Sequence, residues 1–168
     1  MRCYFFEKNS KVQNYLGKVM MLVATLMIST ISFGVKLGTV KGLSRLSNYN
    51  KLKDIDVNAI TNLQISKNGE VINPSTNFAG VGIANHKGKI IGVYFYKNGK
   101  QNGKSYVYYD NGQVYLENEI KNEKYEGEGK SYYDDGQLQS ARIYKDDRIL
   151  LLKKYKHDGS LDFTYTQT

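Results

Sequence analysis

Tryptophan is absent from the 168 residues, cysteine and proline occur once each, as Cys3 and Pro74, and the only histidines are His86 and His157. A single cysteine excludes a disulfide within the chain and any metal site built on cysteines. Two histidines without a Cys or Asp/Glu cluster at ligand spacing give zinc no ligand set. One proline in a chain with 15 Tyr points to β-structure, because Tyr is a strand former with an apolar body and a polar tip. No uncharged apolar run reaches the roughly 20 residues that a full membrane span needs. The longest is the 15-residue stretch 19–33, VMMLVATLMISTISF.

That stretch is preceded by Lys8, Lys11 and Lys18, and small residues, Ser32 and Gly34, stand where a cleavage site after Gly34 would place them. A basic region followed by a short apolar core is the pattern of an export signal. Residues 1–34 therefore read as a signal peptide or, with Val35 and Leu37 added to the run, as an uncleaved membrane anchor; a buried globular helix is the third reading. The first two put the remainder outside the cytoplasm, as a secreted, periplasmic or tethered chain. Of the net charge of +8, three charges come from Arg2, Lys8, Lys11 and Lys18 against Glu7, and +5 remains beyond residue 34. There Lys and Glu alternate, which reads as a solvated surface, and no nucleic-acid partner is expected.

Residues 35–54 are polar and dotted with Gly, Ser and Lys, and read as a linker. Over 55–85 alternation begins. Lys67-Asn68-Gly69 between apolar stretches is a hairpin signal, so this region reads as a degenerate leading β-hairpin. From 86 to 168 the sequence is periodic. Gly88, Gly112, Gly136 and Gly159 follow one another at 24, 24 and 23 residues, and a fixed period of this size marks a repeat architecture. Ile90, Val114, Leu138 and Leu161 stand two residues after each Gly, and Tyr108, Tyr132 and Tyr155 stand four before the last three. A second glycine recurs at Gly103 and Gly127 and is lost at Leu151, where the chain instead runs Ile149-Leu150-Leu151-Leu152. Turns at Asp110-Asn111-Gly112, Asp134-Asp135-Gly136 and His157-Asp158-Gly159, with a second set after Lys97, Lys121 and Lys145, describe an antiparallel meander. Its hairpins must stack to bury an apolar face. Tyr108, Tyr132 and Tyr155 are assigned to that inward layer. The adjacent Tyr109 and Tyr133 point the other way along a strand and, with Lys97, Lys104, Lys121 and Lys130, form the candidate contact surface.

These residues resemble the bacterial MORN-repeat variant family, which includes YwqK-like antitoxins. The resemblance rests on Tyr108-Tyr109-Asp110-Asn111-Gly112-Gln113-Val114, on Tyr132-Tyr133-Asp134-Asp135-Gly136-Gln137-Leu138, and on Tyr96-Lys97-Asn98-Gly99-Lys100 with Gly103. It covers about half of the chain. It implies an all-β fold, a meander of tandem MORN-variant β-hairpin repeats behind an N-terminal signal or anchor helix, without catalytic residues and used for contacts with proteins or membranes.

Catalytic motifs do not survive inspection. Gly99-Lys-Gln-Asn-Gly103-Lys104-Ser105 is one residue short of a phosphate loop and lies between tyrosine strands, where that motif needs a strand and then a helix. Asp134-Asp135 and Asp146-Asp147 fall in turns, where Asp is favoured because its side chain bonds the local backbone. The expectation is a non-enzymatic chain with no cofactor, no metal and no small-molecule substrate. Its partner would be a protein, such as a toxin, or else lipid headgroups or glycan met by a Tyr/Lys face.

Overall fold

The computed structural model describes residues 35–66 and 70–167. The apolar run 19–33 and the Asn68-Gly69 turn lie outside them. The fold is mostly β. A two-residue strand β1 (Val35–Lys36) precedes two 3₁₀ turns, Leu37–Thr39 and Leu43–Arg45, and a single α-turn, Tyr49–Leu52. The other strands are β2 (Asp56–Val57), β3 (Ile60–Ile65), β4 (Val71–Ile72), β5 (Gly80–His86), β6 (Lys89–Lys97), β7 (Lys100–Tyr108), β8 (Val114–Lys121), β9 (Lys124–Tyr132), β10 (Leu138–Lys145), β11 (Arg148–Tyr155) and β12 (Leu161–Thr166).

β1 pairs with β2, and the other ten form one sheet in the order β12-β11-β10-β9-β8-β7-β6-β5-β3-β4. From β5 to β12 each strand pairs antiparallel with the next in sequence, while β3 lies parallel to β5. The leading segment is thus more than a hairpin. β3 and β4 pair antiparallel around 67–69, and the chain then crosses back to place β5 on the other side of β3. An Asn-Gly signal reports only the local turn, so the parallel pairing has no marker in the sequence.

Two kinds of turn alternate. At Asn98-Gly99, Asn122-Glu123 and Asp146-Asp147 both residues have positive φ, as a tight two-residue hairpin turn requires. On the opposite rim, the N–H groups of Gly112, Gly136 and Gly159 donate to the carbonyls of Tyr109, Tyr133 and Lys156. The N–H groups of those three residues donate in turn to Gln113, Gln137 and Ser160. This is the three-residue hairpin loop closed by a left-handed residue, and the glycines supply it at φ 86°, 90° and 81°. Gly88 shares the sequence phase but belongs to a two-residue turn with Lys87, whose φ is also positive. Asn111, Asp135 and Asp158 each accept the N–H two residues on, so these side chains are consumed by their own turns. Gly103 and Gly127, at φ 115° and 93°, sit where β7 and β9 bulge against their partners. β11 bulges more simply, at Leu150 alone, and Leu151 needs no left-handed conformation there.

Residues 35–54, expected to be a linker, form a cap. Leu37, Leu43, Leu46 and Leu52 are buried with Val57 against Val81, Ile83, Ile90, Val93, Tyr106 and Tyr108. The burial of four leucines offsets the ordering of an otherwise polar segment. The cap is pinned by Ser47, whose N–H donates to the Gly112 carbonyl and whose hydroxyl accepts from the Val114 N–H. The Tyr108 hydroxyl donates to Asn48 Oδ1 at 3.0 Å.

The cap ends before the sheet does. One row of directly paired residues crosses β5 to β12 as Ile83, Val93, Tyr106, Glu117, Lys130, Ala141, Lys153 and Thr164. The first three are core and the row turns charged beyond them. On the other face runs Gly82, Tyr94, Ser105, Asn118, Gly129, Arg142, Leu152 and Tyr165. The rings of Tyr94 and Tyr144 fold over Gly92 and Gly129, where a Cβ would collide with them.

Candidate functional site

The residues singled out in the sequence are spread along the strands. Tyr109 and Tyr133 stand at the rim of three-residue loops. Each is half-buried, and its hydroxyl donates across to the next loop, Tyr109 to the Tyr132 carbonyl at 2.9 Å and Tyr133 to the Tyr155 carbonyl at 3.0 Å. Tyr109 packs its ring on Tyr115, and Tyr133 packs on His157 at 4.6 Å between centroids. Their hydroxyls therefore tie one loop to the next, a role that adjacent strand alternation does not announce because the acceptor lies 22 or 23 residues away.

Lys97 and Lys121 stand at the other end, Lys104 is in mid-strand, and Lys130 lies three residues before Tyr133. Lys97, Lys104 and Lys121 line one open groove of about 770 Å³ with Lys100, Glu119 and Glu126. A strand of nine residues is roughly 27 Å long, so the tyrosine rim and this groove do not form one face. Two of the groove's four cations are answered within the sheet. Lys104 lies 3.3 Å from Glu117, and Lys100 lies 3.7 Å from Glu123. Lys130, outside the groove, holds Glu128 at 2.9 Å, which lowers the Glu128 pKa and raises that of Lys130. Lys145 binds Glu126 at 2.6 Å, and that hydrogen bond lowers the carboxyl's pKa. Among the described residues only Lys97 and Lys121 of the named lysines lack an acidic partner within ion-pair distance.

The inward tyrosines divide with the cap. Tyr108 is buried beneath it, whereas Tyr132 and Tyr155 lie on the same face beyond it and are half-buried. Around Tyr155 the sheet leaves a shallow hollow of about 220 Å³, floored by Ala141, Ile143 and Leu151 and flanked by Glu128, Lys130 and Lys153. Ile143 is 37% exposed, a large apolar side chain facing solvent. The signal for this hollow is the break in the period. Leu151 stands where the two preceding units carry Gly103 and Gly127.

Among the described residues no three His, Cys, Asp or Glu side chains gather as a metal site, and no helix is long and apolar enough to cross a membrane. No protein-family model, no curated protein and no solved structure matches the chain.

Proposed function

We propose that this chain is a non-enzymatic binding protein of the MORN-variant type, exported or membrane-tethered, whose open distal sheet face receives another protein. The antitoxin-like resemblance makes a protein toxin the class of partner to try. One observation carries the reading: among the described residues, the face buried by the cap over β5 to β8 continues without a cover over β9 to β11. There it offers Ala141, Ile143, Leu151 and Tyr155 between lysines and a glutamate. An apolar patch rimmed by charges is the usual anatomy of a protein-binding surface. The intramolecular cap is the precedent for what such a face accepts, a short irregular segment presenting leucines. The Tyr/Lys alternative lacks comparable support, since Lys97 and Lys121 stand at the rim opposite Tyr109 and Tyr133, and Lys104 and Lys130 are held by Glu117 and Glu128.

The test is affinity capture with the full chain, comparing wild type with Ile143→Glu and with Lys97→Ala/Lys121→Ala. A buried charge in the hollow should weaken retention of the captured protein about tenfold or more, and the lysine pair should leave it unchanged. If vesicles or glycans are bound instead, and the lysine pair abolishes that binding, the lipid or glycan reading replaces this one. Equal retention of the protein by Ile143→Glu and wild type would remove the open face from consideration.

A further inference from the structure

The two edges of the ten-stranded sheet differ. β4 is two residues long and is followed two positions later by Pro74, which blunts it as natural edge strands are blunted. β12 is six residues long, Leu-Asp-Phe-Thr-Tyr-Thr, with every residue exposed and neither lysine nor proline among them. Leu161, Phe163 and Tyr165 are 56%, 48% and 44% exposed. Among the described residues it is paired on one side only, with β11.

The direction of its free hydrogen-bonding groups follows from one bond. The Gln167 N–H donates to the Leu150 carbonyl. Main-chain groups alternate sides along a strand, so Tyr165 and Phe163 also turn theirs to β11, and Thr166 and Thr164 turn theirs outward; Asp162 is the extra residue of a bulge opposite Lys154 and Tyr155. We propose that β12 pairs with β12 of a second copy, antiparallel about a two-fold axis through Thr164 and perpendicular to the sheet.

The pattern is self-complementary in that register. Thr164 meets its own copy with outward groups on both, which closes two main-chain bonds at the axis, and on either side Thr166 brings its outward groups to the bulged Asp162. Phe163 falls opposite Tyr165 twice, at the closer, non-hydrogen-bonded positions where aromatic cross-strand pairs are favourable. No charge faces a like charge, because Asp162 meets threonine. A centre on Phe163 has only the bulged Asp162 to set against Thr164 on both sides, and a centre between residues sets outward groups against inward ones. The resulting interface is isologous, as two-fold pairing requires. It makes one continuous sheet with both distal hollows on the same side.

The test is the mass of the full chain in mild detergent over a concentration series. Two chains per particle are expected at the upper end. Thr164→Pro should return the mass to one chain with the β signal intact, because that N–H is not used by β11. In a Cys3→Ser background, Thr164→Cys should form a covalent dimer on oxidation, since hydrogen-bonded antiparallel partners lie about 5.5 Å apart at Cα, within disulfide reach. Lys153→Cys, the β11 neighbour of Thr164, should not. A single-chain mass at every concentration, or a dimer that survives Thr164→Pro and ignores Thr164→Cys, overturns the proposal. The edge and the face are tested separately: Ile143→Glu leaves the mass unaltered, and Thr164→Pro leaves a single partner site intact.

Discussion

A glycine in the same place in three loops does not carry the same weight in each. Gly112 and Gly159 both close a three-residue loop in the left-handed conformation, at φ 86° and 81°. A Cβ on Gly112 would come 2.6 Å from the Arg45 carbonyl oxygen of the cap, while at Gly159 it would meet nothing within 4 Å. Gly159→Ala therefore costs only the left-handed penalty, about 1 kcal/mol. Gly112→Ala must also displace backbone and should cost roughly 2 kcal/mol or more. Urea midpoints of the two variants measure the difference, and equal losses would mean that the cap yields freely at Arg45. The left-handed requirement was legible in the sequence, because Asp-Asn-Gly and its variants recur at fixed spacing. The unequal cost was not, because it depends on a carbonyl 67 residues earlier. The same distance hides the role of Tyr109 and Tyr133. Their position one residue past an inward tyrosine suggests outward rings, and the hydroxyl finds an acceptor only once the next loop is stacked beside it.

Among the elements, the cap is what the sequence concealed most fully. Its leucines, Leu37, Leu43, Leu46 and Leu52, fall at intervals of six, three and six residues, which fit neither a strand nor a helix. They are diluted by Lys41, Ser44, Arg45 and Lys51. Periodicity reports regular elements, and this one holds its place by contacts with the sheet instead. The meander, by contrast, was readable from its turns and alternation, since each strand pairs with its sequence neighbour and register follows from turn type. Leu43 is fully buried between cap and sheet. Leu43→Ala should destabilise the chain by about 2–5 kcal/mol, with the loss read as a shift of the urea midpoint. A loss below about 0.5 kcal/mol, the ordinary range for surface substitutions, would make residues 35–54 the spacer that their composition suggests.

Across the whole sheet, the cap divides the described residues into a half with a core and a half without, and the tyrosines record the division. Tyr106 and Tyr108 under the cap, and Tyr96 against Phe78 on the other face, have hydroxyls whose ionisation burial opposes. Desolvation pushes Tyr96 and Tyr106 up to about 12 from the ordinary 10.0, and Tyr108 higher still despite its bond to Asn48. In the unfolded chain these groups lose their protons near 10.0, so the folded state binds protons that the unfolded state has released. By linkage, their contribution is complete below pH 10 and falls away as the pH rises through 12. The urea midpoint should thus be insensitive to these three groups up to about pH 10 and decline steeply above it. The tyrosinate absorbance of Tyr96, Tyr106 and Tyr108 should rise together with unfolding. Tyr108→Phe removes the most strongly shifted hydroxyl, so its alkaline decline should be shallower than that of wild type, even though the variant starts lower for want of the Asn48 bond. If Tyr106 and Tyr108 lose their protons near the ordinary 10.0 while the sheet stays folded, the cap does not exclude water from them, and the division into a cored and an open half fails with it.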